Sequence, residues 1–166
     1  TNTLSTLDLP RHKGSYVLLL ELARAETLTV GRLGSLDFGA GFYAYTGSAR
    51  GPGGLAARLG HHLGMARRCH WHIDYLRRKA PVVAVWACWG EAARAARLDE
   101  CRLADRLAES LRLERPFKGF GSSDCTCLTH LLHWPLPVDG KPCSPISSKE
   151  TIARLAAALS PLRRVF

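Results

Sequence analysis

GFYAYTGSARGPGGLAARLGHHL, residues 41–63, reads as a strand, a glycine-rich turn and a helix in succession. Gly41 to Thr46 is aromatic and β-favouring, as a pleated, half-buried surface requires. Gly47 to Gly54 is rich in the residue that tolerates tight backbone turns. Leu55, Leu59 and Leu63 then recur at helical spacing, one apolar stripe on one face.

The same alternation of element types extends in both directions. Upstream, Ser15 to Leu22 (SYVLLLEL) is an apolar run suited to a buried strand, and Thr27 to Val30 alternates as a second strand. Gly31, Gly34, Gly39 and Gly41 punctuate the stretch between them and the third strand. Downstream, His70 to Arg78 (HWHIDYLRR) predicts a short helix stopped by Pro81, and Val82 to Trp89 (VVAVWACW) a buried strand. Leu103, Leu107 and Leu111 mark one face of a helix over Leu98 to Leu113, ended by Pro116. Lys118 to Asp124 reads as a loop and Leu128 to Trp134 as a last strand. Ser148 to Leu159 is an amphipathic helix capped by Ser147 or Ser148. The expected architecture is α/β of the α+β kind, a small mixed or antiparallel sheet with helices packed on it. Residues 1–13 are expected as a flexible leader, 14–134 as the domain, and 135–166 as a linker and a C-terminal helix packed on it.

Composition narrows the function. The chain has 166 residues, 46% hydrophobic and 22% charged, which suits one folded domain rather than a disordered segment. Lys and Arg number 23 against 14 acids, a formal +9. Such a surface favours nucleic acid through counterion release, although charge alone says nothing of chemistry. Thr1 to Pro10 lacks the pattern of a secretory signal, and the longest apolar runs are too short for a bilayer. A cytoplasmic location without membrane association is expected, nucleoid-associated in a bacterium. The six cysteines then read as thiols.

Several side chains have types and spacings suited to chemistry. Tyr16 and Tyr45 lie in neighbouring expected strands, and Gly47 follows the second. Arg58 and His62 are four apart on one helix face. Glu100 stands near the start of the later helix, in competition with Asp99, Glu91 and Glu109. Taken singly, each has a plainer reading: strand tyrosines in a core, a solvated arginine, an acid complementing a helix dipole. His61 beside His62 leaves open which imidazole faces a site. His70, His72 and Asp74 form a polar cluster that serves equally as a nucleic-acid contact or a helix cap. Cys125, Cys127 and His130, with Cys69 or Cys101, could ligate zinc. They lack the paired Cys-x-x-Cys spacing of strong zinc sites, so buried thiols are the expectation.

In combination these residues resemble the GIY-YIG nuclease superfamily. Gly14-Ser15-Tyr16 is similar to its first motif and Tyr45-Thr46-Gly47 to its second. Leu55-Ala56-Ala57-Arg58 with His62 resembles the helix carrying the family's arginine and histidine, and Asp99-Glu100 the start of the helix carrying its metal-binding glutamate. GFYAYTGSA (41–49), CHWHIDYL (69–76) and GFGSSDCTCLTHL (119–131) are similar to the small Uri-type subgroup, long a domain of unknown function. The resemblance spans roughly residues 14–134.

It implies a metal-dependent DNA endonuclease with Tyr16 as general base and Arg58 as phosphate clamp. Glu100 would be the ligand of Mg²⁺ or Mn²⁺, with Tyr45 and His62 in support. A phenol with a pKa of about 10 would need help to act as a base. Some relatives are fused to endonuclease III, which implies repair partners and abasic or damaged DNA; with no recognition helix in the sequence, single-stranded or branched DNA is the other expected substrate. Gly47, Ser48, Arg50, His70, His72, Lys118, Ser122 and Ser123 are the expected substrate contacts, with Arg67, Arg68, Arg77 and Arg78 along a DNA backbone. Two departures stand out. The stretch between the tyrosines is long, predicting an inserted hairpin. The family's late asparagine is missing, since Asn2 is the only Asn, leaving Ser122, Ser123 or Asp124 as candidates. A catalytically idle nucleic-acid-binding module and a zinc-stabilised interaction domain remain the alternatives, and the oligomeric state is open.

Overall fold

The computed structural model describes residues 9–64, 68–135 and 147–166. Strand β1 (Gly14–Leu22) lies at the centre of a five-stranded antiparallel sheet. Its neighbours are β4 (Gly41–Ala49) on one side and β5 (Val82–Trp89) on the other. β6 (Leu131–Pro135) extends the sheet beyond β4, and β7 (Arg163–Arg164) beyond β5. β2 (Glu26–Thr29) and β3 (Ser35–Phe38) form a separate antiparallel hairpin, the insertion expected between the tyrosines.

Helices cover both faces, which is why β1 reads as an unbroken apolar run rather than an alternating one. Even-numbered β1 residues Tyr16, Leu18 and Leu20 pack with Leu55 and Leu59 of α1 (Gly54–Leu63) and with Ile73 and Leu76 of α2 (His72–Arg77). Odd-numbered Val17 and Leu19 pack with Leu103 and Leu107 of α4 (Glu100–Leu111) and Leu155 of α5 (Ser148–Ala158). In β4 the parities are exchanged: Tyr43, Tyr45 and Ala49 face α1, while Phe42 and Ala44 face α4. Ser147 caps α5 by accepting from the Glu150 amide at 3.2 Å.

Some expectations change. Residues 10–12, expected within a loose leader, dock on α1. The carbonyls of His12 and Pro10 accept from the Leu55 and Ala56 amides at 2.9 and 3.0 Å, satisfying two donors that a helix start leaves open. β4 continues through Ala49 instead of turning at Gly47. β6 begins at Leu131 rather than Leu128, which is 46% exposed. A short helix, α3 (Gly90–Ala95), intervenes where only a connection was expected. Arg67 and the expected linker at 136–145 lie outside the described residues.

Candidate active site

The ends of β1 and β4, the face of α1, the entry to α2, the start of α4 and the 121–130 loop enclose a cavity of about 310 Å³. Tyr16, Tyr45, Gly47, Ser48, Arg58, His70, His72, Glu100 and Ser123 all line it. Trp71, Asp124 and His130 line it too, and none of the three was an expected substrate contact.

Tyr16 is fully buried, and its hydroxyl lies 2.8 Å from His62 Nε2. His62 is also buried, beneath the cavity rather than within its lining. Its other nitrogen, Nδ1, makes no hydrogen bond and stands 3.6 Å from Asp74 Oδ1. An ionised carboxylate can only accept, so the proton belongs on Nδ1, and Nε2 is left to accept from the Tyr16 hydroxyl. The result is an ordered chain, Asp74–His62–Tyr16, with the phenol at its cavity end. Gly47 explains itself here. It is the register partner of Tyr16, and a Cβ on it would collide with the Tyr16 ring and hydroxyl. A close approach, not a turn, requires the glycine.

Asp74 holds this side of the site together. Its carboxylate accepts from the His70 and Trp71 amides (2.8 and 3.0 Å), from Arg77 Nε (3.1 Å), and pairs with His61 Nε2 at 3.0 Å. Burial works against its charge. The approach of His62, the two amides and His61 outweigh that and hold the carboxyl well below the usual range. The polar cluster is thus both helix cap and buttress. It also settles the two imidazoles: His62 faces Tyr16, while His61 pairs with Asp74. Burial pushes His62 below its ordinary 6.5, against the pull of Asp74, so it is neutral at neutral pH. Burial, then Tyr45, raises Tyr16 well above 10.0, while Arg58 works to lower it. Tyr45 is likewise raised by burial.

Arg58 stacks its guanidinium over Trp71, 3.9 Å from the ring centroid. Among the described residues it forms no ion pair with a carboxylate, so its charge is available to an anion in the cavity. Glu100 is the first residue of α4. Thr46 Oγ1 donates to its backbone carbonyl at 2.7 Å, and Ser48 Oγ donates to Oε1 at 3.0 Å. Arg50, on an exposed rim, reaches Oε2 at 3.4 Å. The competing acid Asp99 is the α4 cap, accepting from the Arg102 amide at 2.8 Å. An oriented carboxylate beside open volume suits a hard cation that keeps most of its waters.

Other expected contacts fall elsewhere. Ser122 is buried with its hydroxyl toward the Leu128 carbonyl, and Lys118 is exposed outside the cavity. Arg77 is committed to Asp74 and to the carbonyls of His62 and Gly64, which removes it from a DNA path. His72 Nδ1 accepts from the Gly121 amide at 2.9 Å, tying α2 to the loop opposite. Gly121 has φ 72° and presses on the Tyr45 ring, where a Cβ would come within 2.7 Å.

The cysteines differ most from expectation. Cys88 is a buried thiol, but those beside His130 are not: Cys125 is exposed, and Cys101 and Cys127 are half-buried. With His130 these three form a group whose four donor atoms all lie within 4.8 Å of one another, and that group could hold a metal ion. His61, His62 and Asp74 also cluster, but their donors are taken up by the network just described.

The chain is an α+β domain that brings phenol, imidazole, guanidinium and carboxylate to one cavity at a sheet end. It belongs to the family described as domain of unknown function DUF123, whose sequence pattern matches residues 15–148, from β1 to the first residue of α5. Comparison with curated proteins and with solved structures gives no match. No helix among the described residues is long and apolar enough to cross a membrane.

Proposed function

We propose that this protein is a metal-dependent endonuclease of the GIY-YIG type, Uri-like, hydrolysing DNA phosphodiesters. The observation that carries the reading is the Asp74–His62–Tyr16 chain ending at a cavity that also holds an oriented carboxylate and an arginine that, among the described residues, has no carboxylate partner. Tyr16 passes its proton to neutral His62 as it takes one from the attacking water. The imidazolium so formed is stabilised by Asp74, and the 3.6 Å gap to Oδ1 closes as the charge develops. Arg58 clamps the phosphate and strengthens its hold as negative charge grows. Trp71 fixes the plane of that clamp. Glu100 would hold Mg²⁺ or Mn²⁺, which supplies charge neutralisation and stabilises the leaving oxygen. Ser123 and Asp124, which line the cavity, are the candidates for the role of the family's late asparagine.

A second cavity supports nucleic acid as the substrate. Its volume is about 670 Å³, it shares Ser48 with the first, and Arg11, His12, Lys13, Arg50, Arg94 and Arg97 line it against a single acid, Asp99. That groove is a better path for a phosphate backbone than Arg77, and it meets the site at Ser48, which donates to Glu100. The sequence carries no pattern of a recognition helix with a readable base code, which favours a structure- or lesion-directed substrate in repair over a sequence-specific one.

Labelled single-stranded, duplex, branched and abasic DNA, incubated with and without Mg²⁺ or Mn²⁺, tests the proposal. Metal-dependent cutting that Glu100→Gln abolishes is expected. Binding without cutting on every substrate would refute the nuclease and favour an idle binding module. Arg94→Ala with Arg97→Ala should lower the salt slope of binding, by roughly 0.9 for each phosphate that the variant no longer neutralises.

A further inference from the structure

We propose that Cys101, Cys125, Cys127 and His130 form a closed tetrahedral zinc site that clips the first turn of α4 to the 121–130 loop. The edge lengths carry the argument. In a tetrahedral centre with Zn–S of about 2.3 Å and Zn–N of about 2.0–2.1 Å, neighbouring sulfurs stand about 3.8 Å apart and sulfur and nitrogen about 3.5 Å apart. Cys101 and Cys125 Sγ are 3.7 Å apart. His130 Nε2 lies 3.4 Å from Cys101 Sγ and 3.5 Å from Cys125 Sγ. Three edges of the tetrahedron therefore already have the right length, and Cys127 supplies the fourth corner. A disulfide between Cys101 and Cys125 would need its sulfurs at about 2.05 Å, far inside the observed separation.

The donor set selects the metal. Three thiolates with one imidazole are soft and borderline ligands that suit zinc and reject magnesium. Four protein donors leave no open position, so the site is structural rather than hydrolytic. Cys101 sits in the first turn of a twelve-residue helix, a rigid mount for a ligand.

The position gives the clip a role. Each of two ligands follows an acid of the cavity: Cys101 follows Glu100, and Cys125 follows Asp124. Zinc would fix the spacing of those two carboxyl groups across the cavity mouth. The clip rests on its own geometry and would stand if the protein cut nothing.

The test uses the full chain, purified without a metal-affinity column and without added zinc. Elemental analysis should find about one zinc per chain. A thiol-reactive mercurial should release it with loss of thermal stability, a measurement that needs no variant. Cobalt exchanged into the site should show thiolate-to-cobalt charge transfer and the strong visible bands of tetrahedral geometry. Cys125→Ser or Cys127→Ser should lose the zinc, while Cys69→Ser keeps it. Protein free of zinc with these thiols reduced or joined in a disulfide would overturn the assignment. So would stoichiometric iron, octahedral cobalt spectra, or zinc retained in a folded Cys125→Ser, Cys127→Ser double variant. Zinc content is read independently of cutting, so failure of the nuclease proposal leaves this result unchanged, and the reverse.

Discussion

Asp74→Asn isolates the group on which one side of the cavity depends. The substitution keeps shape and removes charge. It also turns one acceptor into a donor, which must then face the His70 and Trp71 amides, Arg77 Nε or His61. The side chain is 1% exposed, so water cannot substitute. Breaking a buried ion pair by removing one partner costs about 3–5 kcal/mol. Arg77 retains two carbonyl partners, which places the expectation at the lower end of that range. At a urea m-value of about 2 kcal/mol/M, the midpoint should fall by roughly 1.5–2 M at pH 7. The pH dependence follows from the depressed carboxyl of Asp74. Its stabilisation is fully present above the unfolded pKa of about 3.9 and is lost as pH falls toward the folded value. The gap between wild type and variant should therefore hold from pH 7 to about 4, then narrow by about 1.4 kcal/mol per pH unit. Urea titrations at pH 7, 5, 4 and 3 measure it. A midpoint shift equal at every pH would show that packing, not charge, is at stake and would refute the reasoning.

Tyr16→Phe should reduce DNA cutting by about 10²–10⁴, the range of a proton-transfer contribution, while gel-shift affinity stays within a factor of two to three. Weakened affinity with normal turnover would remove the phenol from the chemistry. If His62 must be neutral to take the Tyr16 proton, the rate should rise with pH along an acid limb below 6.5, since burial lowers His62. Asp74→Asn should move that limb lower still, because it removes the charge that opposes the lowering; an unmoved limb would exclude the coupling. Gly47→Ala places a methyl group against the Tyr16 phenol and should cost about 1–3 kcal/mol in unfolding free energy, as overpacked cores do. A neutral result would mean that the ring has room to shift.

What the sequence discloses divides by the range of the interaction. β1 is legible because two covered faces demand an unbroken apolar run, and α4 because Leu103 and Leu107 recur on one stripe and both are buried. The hairpin insertion is legible as surplus length between Tyr16 and Tyr45. Much of the cavity lining is legible through the family resemblance, since Tyr16, Tyr45, Arg58 and Glu100, each with a plainer reading alone, do converge. The contacts that give those residues their properties are not. Asp74 reads equally well as a helix cap, and only the tertiary approach of α1 to α2 puts His62 beside it. Trp71 under Arg58 has no spacing rule to announce it. Cys101 is 24 residues from Cys125, so the cysteine cluster lacks the local pairing by which metal sites are recognised in a chain. Pro10 and His12 act through backbone carbonyls, for which side-chain patterning carries no signal.

The two halves of the site reach the cavity from opposite faces of one sheet, and β4 is the element that joins them. Tyr45 and Gly47 point toward α1, meeting Tyr16 and the Asp74 network. Thr46 and Ser48 point toward α4, holding the Glu100 end. A strand alternates its side chains by geometry alone, so consecutive residues of one strand serve the Tyr16–His62–Asp74 chain and the Glu100 carboxylate in turn. The arrangement also explains why the cavity opens at a strand end. Only there can groups from both faces approach a common point without passing through the sheet. Each face then needs its own anchor: Asp74 provides it on the helical side of α1 and α2, and the cysteine–histidine cluster on the side of α4. Without either anchor the same residue types would be present, yet for a catalytic site an error of about 1 Å in placement can cost a hundredfold in rate. The supporting shell therefore carries as much of the function as the residues by which the site is first noticed.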